Sequence, residues 1–136
     1  METSKDKLLI DNLTKIFYNV FTNSNQRQPD WNLLFTLCIP EIIIIKESGT
    51  TEIVYSLQSF IEPRQAILSD GTLTEFNESE TEYETKIFGN IAQRCSKYKK
   101  NGYLNGTYFN GHGVKLFQFI KTNSGWRISS IVWEDI

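Results

Sequence analysis

A chain of 136 residues with 40% apolar and 22% charged side chains has the size and texture of one globular domain around a single core. Fourteen basic against sixteen acidic residues leave a formal charge of -2, which argues against nucleic acid or a membrane surface as partner. Two cysteines without C-x-x-C spacing and one histidine, His112, argue against a metal site or a thiol-imidazole pair. Cys38 and Cys95 therefore read as buried reduced thiols, and no cofactor is expected.

The N-terminal stretch METSKDKLLIDN lacks an apolar segment of signal-peptide length, and the longest aliphatic run, Ile42 to Ile45, is too short to span a bilayer. A soluble, cytoplasmic protein is expected. Without repeats or low-complexity linkers, residues 1–136 read as one domain.

In chain order, Leu9, Leu13, Ile16, Phe17, Val20 and Phe21 recur at helical spacing, capped by Thr3 or Ser4 and stopped by TNSN from Thr22. PDWNLLFTL from Pro29 predicts a short second helix burying Trp31, Leu34 and Phe35, which Pro40 forbids continuing. β-branched residues on both sides of Ser48-Gly49 predict a hairpin whose first strand is buried on both faces. Ser56 then caps a helix carrying Leu57, Phe60, Ile61 and Leu68, with Pro63 inside it to kink it or delay its start. From Thr72 onward, Thr, Tyr, Phe, Ile and Val punctuated by glycine predict consecutive antiparallel strands, with KKNGYLNGTYFNGHG as a hairpin loop holding His112 in a turn. Helices early and a meander late describe an α+β domain with helices on one face of a curved sheet.

The segments KIFGNIAQRCSKY, GHGVKLFQFIKT and GWRISSIVWEDI, following an acidic strand after Asp70-Gly71, resemble the SnoaL-like branch of the nuclear transport factor 2-like superfamily. Gly89, Arg94, Ser96, Tyr98, Lys115, Gln118, Trp126 and Trp133 to Asp135 match the pattern of an uncharacterised subgroup. The resemblance implies a cone: a strongly curved antiparallel sheet wrapped around N-terminal helices, with a pocket inside and often a homodimer through the sheet. Its members span isomerases, dehydratases, cyclases and protein-binding adaptors, so the fold does not assign a reaction. The lone His112 cannot reproduce the histidine pair of the dehydratase type.

Candidate site residues follow from strand alternation. In TEFNESETEYE an uninterrupted strand puts Glu78, Glu80, Glu82 and Glu84 on one face with Phe76. Glu78 or Glu80 inside the cone is a candidate catalytic base, whereas Glu82 and Glu84 read as solvated partners of the basic run Arg94, Lys97, Lys99 and Lys100. Arg94 and Tyr98 alternate on one face of NIAQRCSKY, where the guanidinium either anchors a ligand carboxylate or pairs with a glutamate. Gln118 is the polar exception on the Val114, Leu116, Ile120 face and is a candidate ligand donor. Phe17, Phe21, Trp31, Tyr55 and Trp133 are candidate apolar lining. Both faces of the last strand look partly apolar, which favours a homodimer through the sheet.

These features support a domain that takes up a small, largely apolar molecule with a carbonyl or acidic end. The alternatives are an acid/base enzyme of isomerase, polyketide cyclase or dehydratase type and, less well supported, a protein-binding adaptor.

Overall fold

The structure, a computed structural model, describes residues 4–136. Thr3 lies outside them, and Ser4 is the first residue of helix α1 (Ser4–Val20). The buried stripe of α1 runs through Ile10, Leu13, Phe17, Val20 and Phe21, as spacing predicts, but includes Asp6, Thr14 and Tyr18 and leaves Leu9 exposed. The polar members are hidden because each has a partner: Thr14 donates to the Ile10 carbonyl at 2.9 Å, and the Tyr18 and Ser96 hydroxyls share a hydrogen bond of 2.7 Å. Selecting apolar residues alone misses them.

Buried Asn23 fixes the end of α1. Its side-chain amide donates to the Leu68 and Leu73 carbonyls and its oxygen accepts from the Phe76 amide at 2.8 Å. The one short side chain thus ties together the end of α1, helix α3 (Leu57–Ser69) and the start of strand β3 (Leu73–Phe88). Helix α2 (Asn32–Leu37) buries Leu34 and Leu37, while Phe35, expected inside, is 56% exposed. In α3 Ser56 and Ser59 form a reciprocal capping box, Leu57, Phe60, Ile61 and Leu68 are buried, and the helix continues through Pro63.

The remaining strands are β1 (Cys38–Glu47), β2 (Glu52–Tyr55), β4 (Ile91–Leu104), β5 (Thr107–Thr122) and β6 (Gly125–Asp135). They form one open sheet in the order β2-β1-β6-β5-β4-β3. The sheet is mixed, because β1 runs parallel to β6 while every other pair is antiparallel. Of the Asn-Gly pairs in the expected loop, only Asn105-Gly106 makes the turn, both residues having positive φ as a two-residue hairpin requires. Gly102, Gly111, His112 and Gly113 instead lie within long strands.

Helices α1 and α3 lie against one face of this sheet, and that concave face holds the core. The convex face carries Ile43, Leu116, Ile120 and Val132, all exposed, so β1 is buried on one face rather than two. Bulges decide which residues face inward. In β3, Glu80 pairs with Tyr98 and Glu82 with Lys97, leaving Thr81 as an extra residue. Glu78 and Glu80 therefore face the concave side with Tyr83, Thr85 and Ile87, while Glu82 and Glu84 face solvent. In β6 an irregularity opposite Gln118 and Phe119 makes Trp126, Ile128, Ile131 and Trp133 one buried set. The mixed look of both faces of β6 reflects that switch and is not evidence of two covered faces.

Candidate functional site

Between α1, α3 and the concave face lies a cavity of about 510 Å³. Its walls are mostly apolar: Phe17 and Phe21 from α1, Phe60, Ile67 and Leu68 from α3, and Ile44, Leu73, Phe76, Phe109, Ile131 and Trp133 from the sheet. Tyr55 stacks on Trp133 and Phe60 meets both rings edge-on. The polar groups collect as Lys46, Arg64, Lys100, Lys115, Glu78 and Asp135. Four cations thus face two carboxylates.

Pairing within this group is unequal. Asp135 accepts from the Tyr98 hydroxyl and lies 3.0 Å from the Lys100 ammonium and 3.5 Å from that of Lys46. Burial opposes its ionisation, but the Tyr98 hydrogen bond and the two lysines outweigh it and hold the carboxyl below its ordinary range. Tyr98 reaches Asp135 across Gly113, where a Cβ would overlap both the Glu134 carbonyl oxygen and the tyrosine ring. Lys115, buried, meets Glu78 at 3.4 Å and lies over the Tyr98 ring at 3.8 Å. The Arg64 guanidinium carbon lies over the Phe60 ring, 3.8 Å from its centre, and the side chain donates to the Phe60 carbonyl, with no carboxylate at ion-pair distance among the described residues. Burial pulls it below the ordinary guanidinium range, offset in part by Tyr55, Glu78 and Asp135.

A second polar cluster lies in the groove between α1 and β3. Arg94 donates through Nε and Nη2 to the two oxygens of Glu80 at 3.0 and 2.5 Å, and through Nη1 to Asp11 at 2.6 Å and Thr85 at 3.0 Å. Its guanidinium carbon lies over the Tyr83 ring, 3.8 Å from the ring centre, and Glu80 also accepts from Ser96 at 2.5 Å. Desolvation disfavours the Arg94 charge, yet Glu80 and Asp11 overcome it and raise the guanidinium further. This donor fork is filled by the protein's own acids.

Neither the protein-family models nor the curated proteins yield a match to this sequence. Solved structures do. A nuclear transport factor 2-like superfamily protein from Salmonella enterica serovar Typhimurium superposes with a TM-score of 0.78 at 17% identity over 97% of this chain and 92% of that one. A cystatin-like fold protein of unknown function from Nostoc punctiforme gives 0.76 at 16% identity over 100% and 96%. A nuclear transport factor 2-like protein of unknown function from Silicibacter pomeroyi gives 0.71 at 15% over the full length of both. The fold is nuclear transport factor 2-like.

Within this nuclear transport factor 2-like fold the sequence candidates separate. Phe17, Phe21, Tyr55, Trp133 and Glu78 line the cavity, whereas Trp31 sits behind Phe21 at 5.7 Å and does not. Tyr98 lies beneath the polar end, held by Asp135. Arg94 and Glu80 face inward but line the neighbouring groove. Gln118, expected as a ligand donor, is on the convex face, where it accepts from Ser130 at 2.8 Å, because inward positions of β5 are Lys115, Phe117 and Phe119. Cys95 is exposed, not buried, on the same outer side as Gln118, while Cys38 is buried.

Sequence reasoning did not select Arg64, Lys46, Lys100, Asp135 or Lys115 as pocket residues. Lys115 had a visible signal, alternating with Phe117 and Phe119 on the face opposite Gln118. Arg64 had none, since its place depends on how α3 crosses the sheet. No described helix is long and apolar enough to cross a membrane.

Proposed function

We propose that the concave cavity binds a small, largely apolar molecule with a carboxylate or carbonyl end, and that this end docks at Arg64. The observation that carries the reading is a guanidinium with no acid partner among the described residues, in the wall of a mostly aromatic and aliphatic cavity whose other cations already have carboxylate partners. A planar ligand gains ring contacts with Phe60, Tyr55 and Trp133, and its carboxylate supplies the fork partner that Arg64 lacks. The positive balance survives loss of one proton from Lys115, since three cations still face two carboxylates.

Thermal denaturation with naphthoate tests this. Ligand at a hundred times its dissociation constant adds about 2.7 kcal/mol of stability. Arg64→Gln, checked for folding by circular dichroism, is expected to abolish the shift. An equal shift in that variant excludes docking at Arg64.

A second reading, acid/base catalysis of the isomerase, cyclase or dehydratase kind, is supported by Glu78, the glutamate of the two candidates that reaches the cavity. Its signature is turnover of a bound carbonyl compound that Glu78→Gln abolishes without loss of binding. For assembly, the exposed Ile43, Leu116, Ile120 and Val132 of the convex face support a homodimer through the sheet, which sedimentation of wild type against Leu116→Lys tests. The free, exposed thiol of Cys95 supports a reducing, cytoplasmic setting.

A further inference from the structure

We propose that Lys115 is an amine nucleophile that condenses reversibly with an aldehyde or ketone admitted to the cavity, with Glu78 carrying the protons. The inference rests on the cavity being a ligand site, and it assigns a reaction to the carbonyl branch of that reading.

The geometry has three parts. Lys115 is a buried lysine whose ammonium has one acid partner among the described residues, Glu78, at a long 3.4 Å. Lys115 also lines the cavity, so a carbonyl compound admitted there lies beside its side chain. Around it stand aromatic faces: Tyr98 at 3.8 Å, Trp133 at 5.4 Å and Tyr18 at 5.6 Å. Such walls exclude the water that would hydrolyse an imine.

Charges around Lys115 come from three strands: Glu78 on β3, Lys100 on β4 and Asp135 on β6. Burial, helped by Lys100, favours the free amine over the pull of Glu78 and Asp135, so the ammonium lies below its ordinary range. A free amine is the reactive form.

The chemistry balances without an oxidant or reductant. The Nζ lone pair forms a bond to the carbonyl carbon, the carbonyl π pair moves to oxygen, and one amine proton passes through Glu78 to that oxygen. The resulting carbinolamine expels its hydroxyl as water, taking through Glu78 the proton that the Lys115 ammonium gave up to become the free amine, while the nitrogen lone pair closes the C=N bond. The protonated imine is a cation, and it remains between the Glu78 carboxylate and the Tyr98 ring, the groups that faced the original ammonium.

Reductive trapping tests the proposal. Native protein is treated with naphthaldehyde and cyanoborohydride at neutral pH and mapped by peptide mass. Lys115 is expected to gain one naphthylmethyl group at least about tenfold faster than exposed Lys86 and Lys97, since the cavity holds the aldehyde beside a lysine whose burial favours the free amine. Glu78→Gln should slow labelling, and Lys115→Arg, folded by circular dichroism, should lose the fast adduct. Labelling of Lys115 no faster than of the exposed lysines overturns the proposal, as does a fast adduct that persists in Lys115→Arg. Naphthoate binding separates the two readings: a shift that depends on Arg64 without fast labelling defeats this inference alone, whereas fast labelling without that shift defeats docking at Arg64 alone.

Discussion

Arg94 uses Nε, Nη1 and Nη2 as donors to Glu80, Asp11 and Thr85 and a ring face at Tyr83 while nearly all of its surface is hidden. Removing it leaves Glu80 inward-facing without its cation, which costs about 3–5 kcal/mol for a buried pair. Arg94→Ala is therefore expected to lower the midpoint of urea denaturation sharply, while Glu82→Gln, on the solvent side of the same strand, should move it by less than about 0.5 kcal/mol. Equal effects would mean that the two glutamates share an environment. The cysteines offer a second contrast. Burial pushes the Cys38 thiol up to about 12, against a small opposing pull from Arg127, while Cys95 is exposed. Ellman's reagent at pH 8 should titrate one thiol in the native protein and two after denaturation.

At the scale of the element, irregularities in strand pairing set the site. Thr81 is the residue without a partner, and it lets Glu80 and Tyr83 face inward together although three positions separate them. Its deletion restores regular pairing on both sides, so a variant lacking Thr81 is expected to fold with a loss of about 1–2 kcal/mol. Deleting Lys86 instead turns buried Ile87 outward and should be far more damaging in the same denaturation assay. Gly113 does comparable work in β5. It leaves the space through which Tyr98 reaches Asp135, so Gly113→Ala must move either the Glu134 backbone or that tyrosine. A loss of at least about 2 kcal/mol is expected, together with a changed tyrosine absorbance in titration.

For the whole molecule, buried titratable groups predict the pH range of stability. The carboxyls of Asp11 and Asp135 are both depressed from 3.8: burial opposes this, but Lys7 and Arg94 for the first, and Tyr98 and Lys100 for the second, prevail. Their contribution is complete above the unfolded value and disappears as pH falls through the folded one, so unfolding should become easier below about pH 4. On the alkaline side, Cys38 keeps its proton in the folded state while the unfolded thiol loses it above 9.0, and Tyr18 and Tyr98, raised by burial, behave alike above 10.0. These groups lower stability as pH rises, whereas Lys115, depressed from 10.5, raises it over the interval up to that value. The three acids outnumber the one base, so the denaturation midpoint should fall above about pH 9, more steeply in Lys115→Met.

Sequence alone determined most element types, because periodicity and caps act locally: the stripe of α1, the Ser56 cap and the order of helices before strands can all be read from it, whereas the glycines of the expected loop hid the length of two strands. The resemblance of the C-terminal segments gave the curved-sheet fold for the same reason, since it rests on residues contiguous in the chain. Which face of each strand looks inward was decided by tertiary pairing, since bulges at Thr81 and near Ser129 break the two-residue alternation without any composition to mark them. The charged end of the cavity lies further beyond the sequence. Lys46, Arg64, Glu78, Lys100, Lys115 and Asp135 come from six different elements, and their shared position follows from strand order and the docking of α3, which no local pattern encodes.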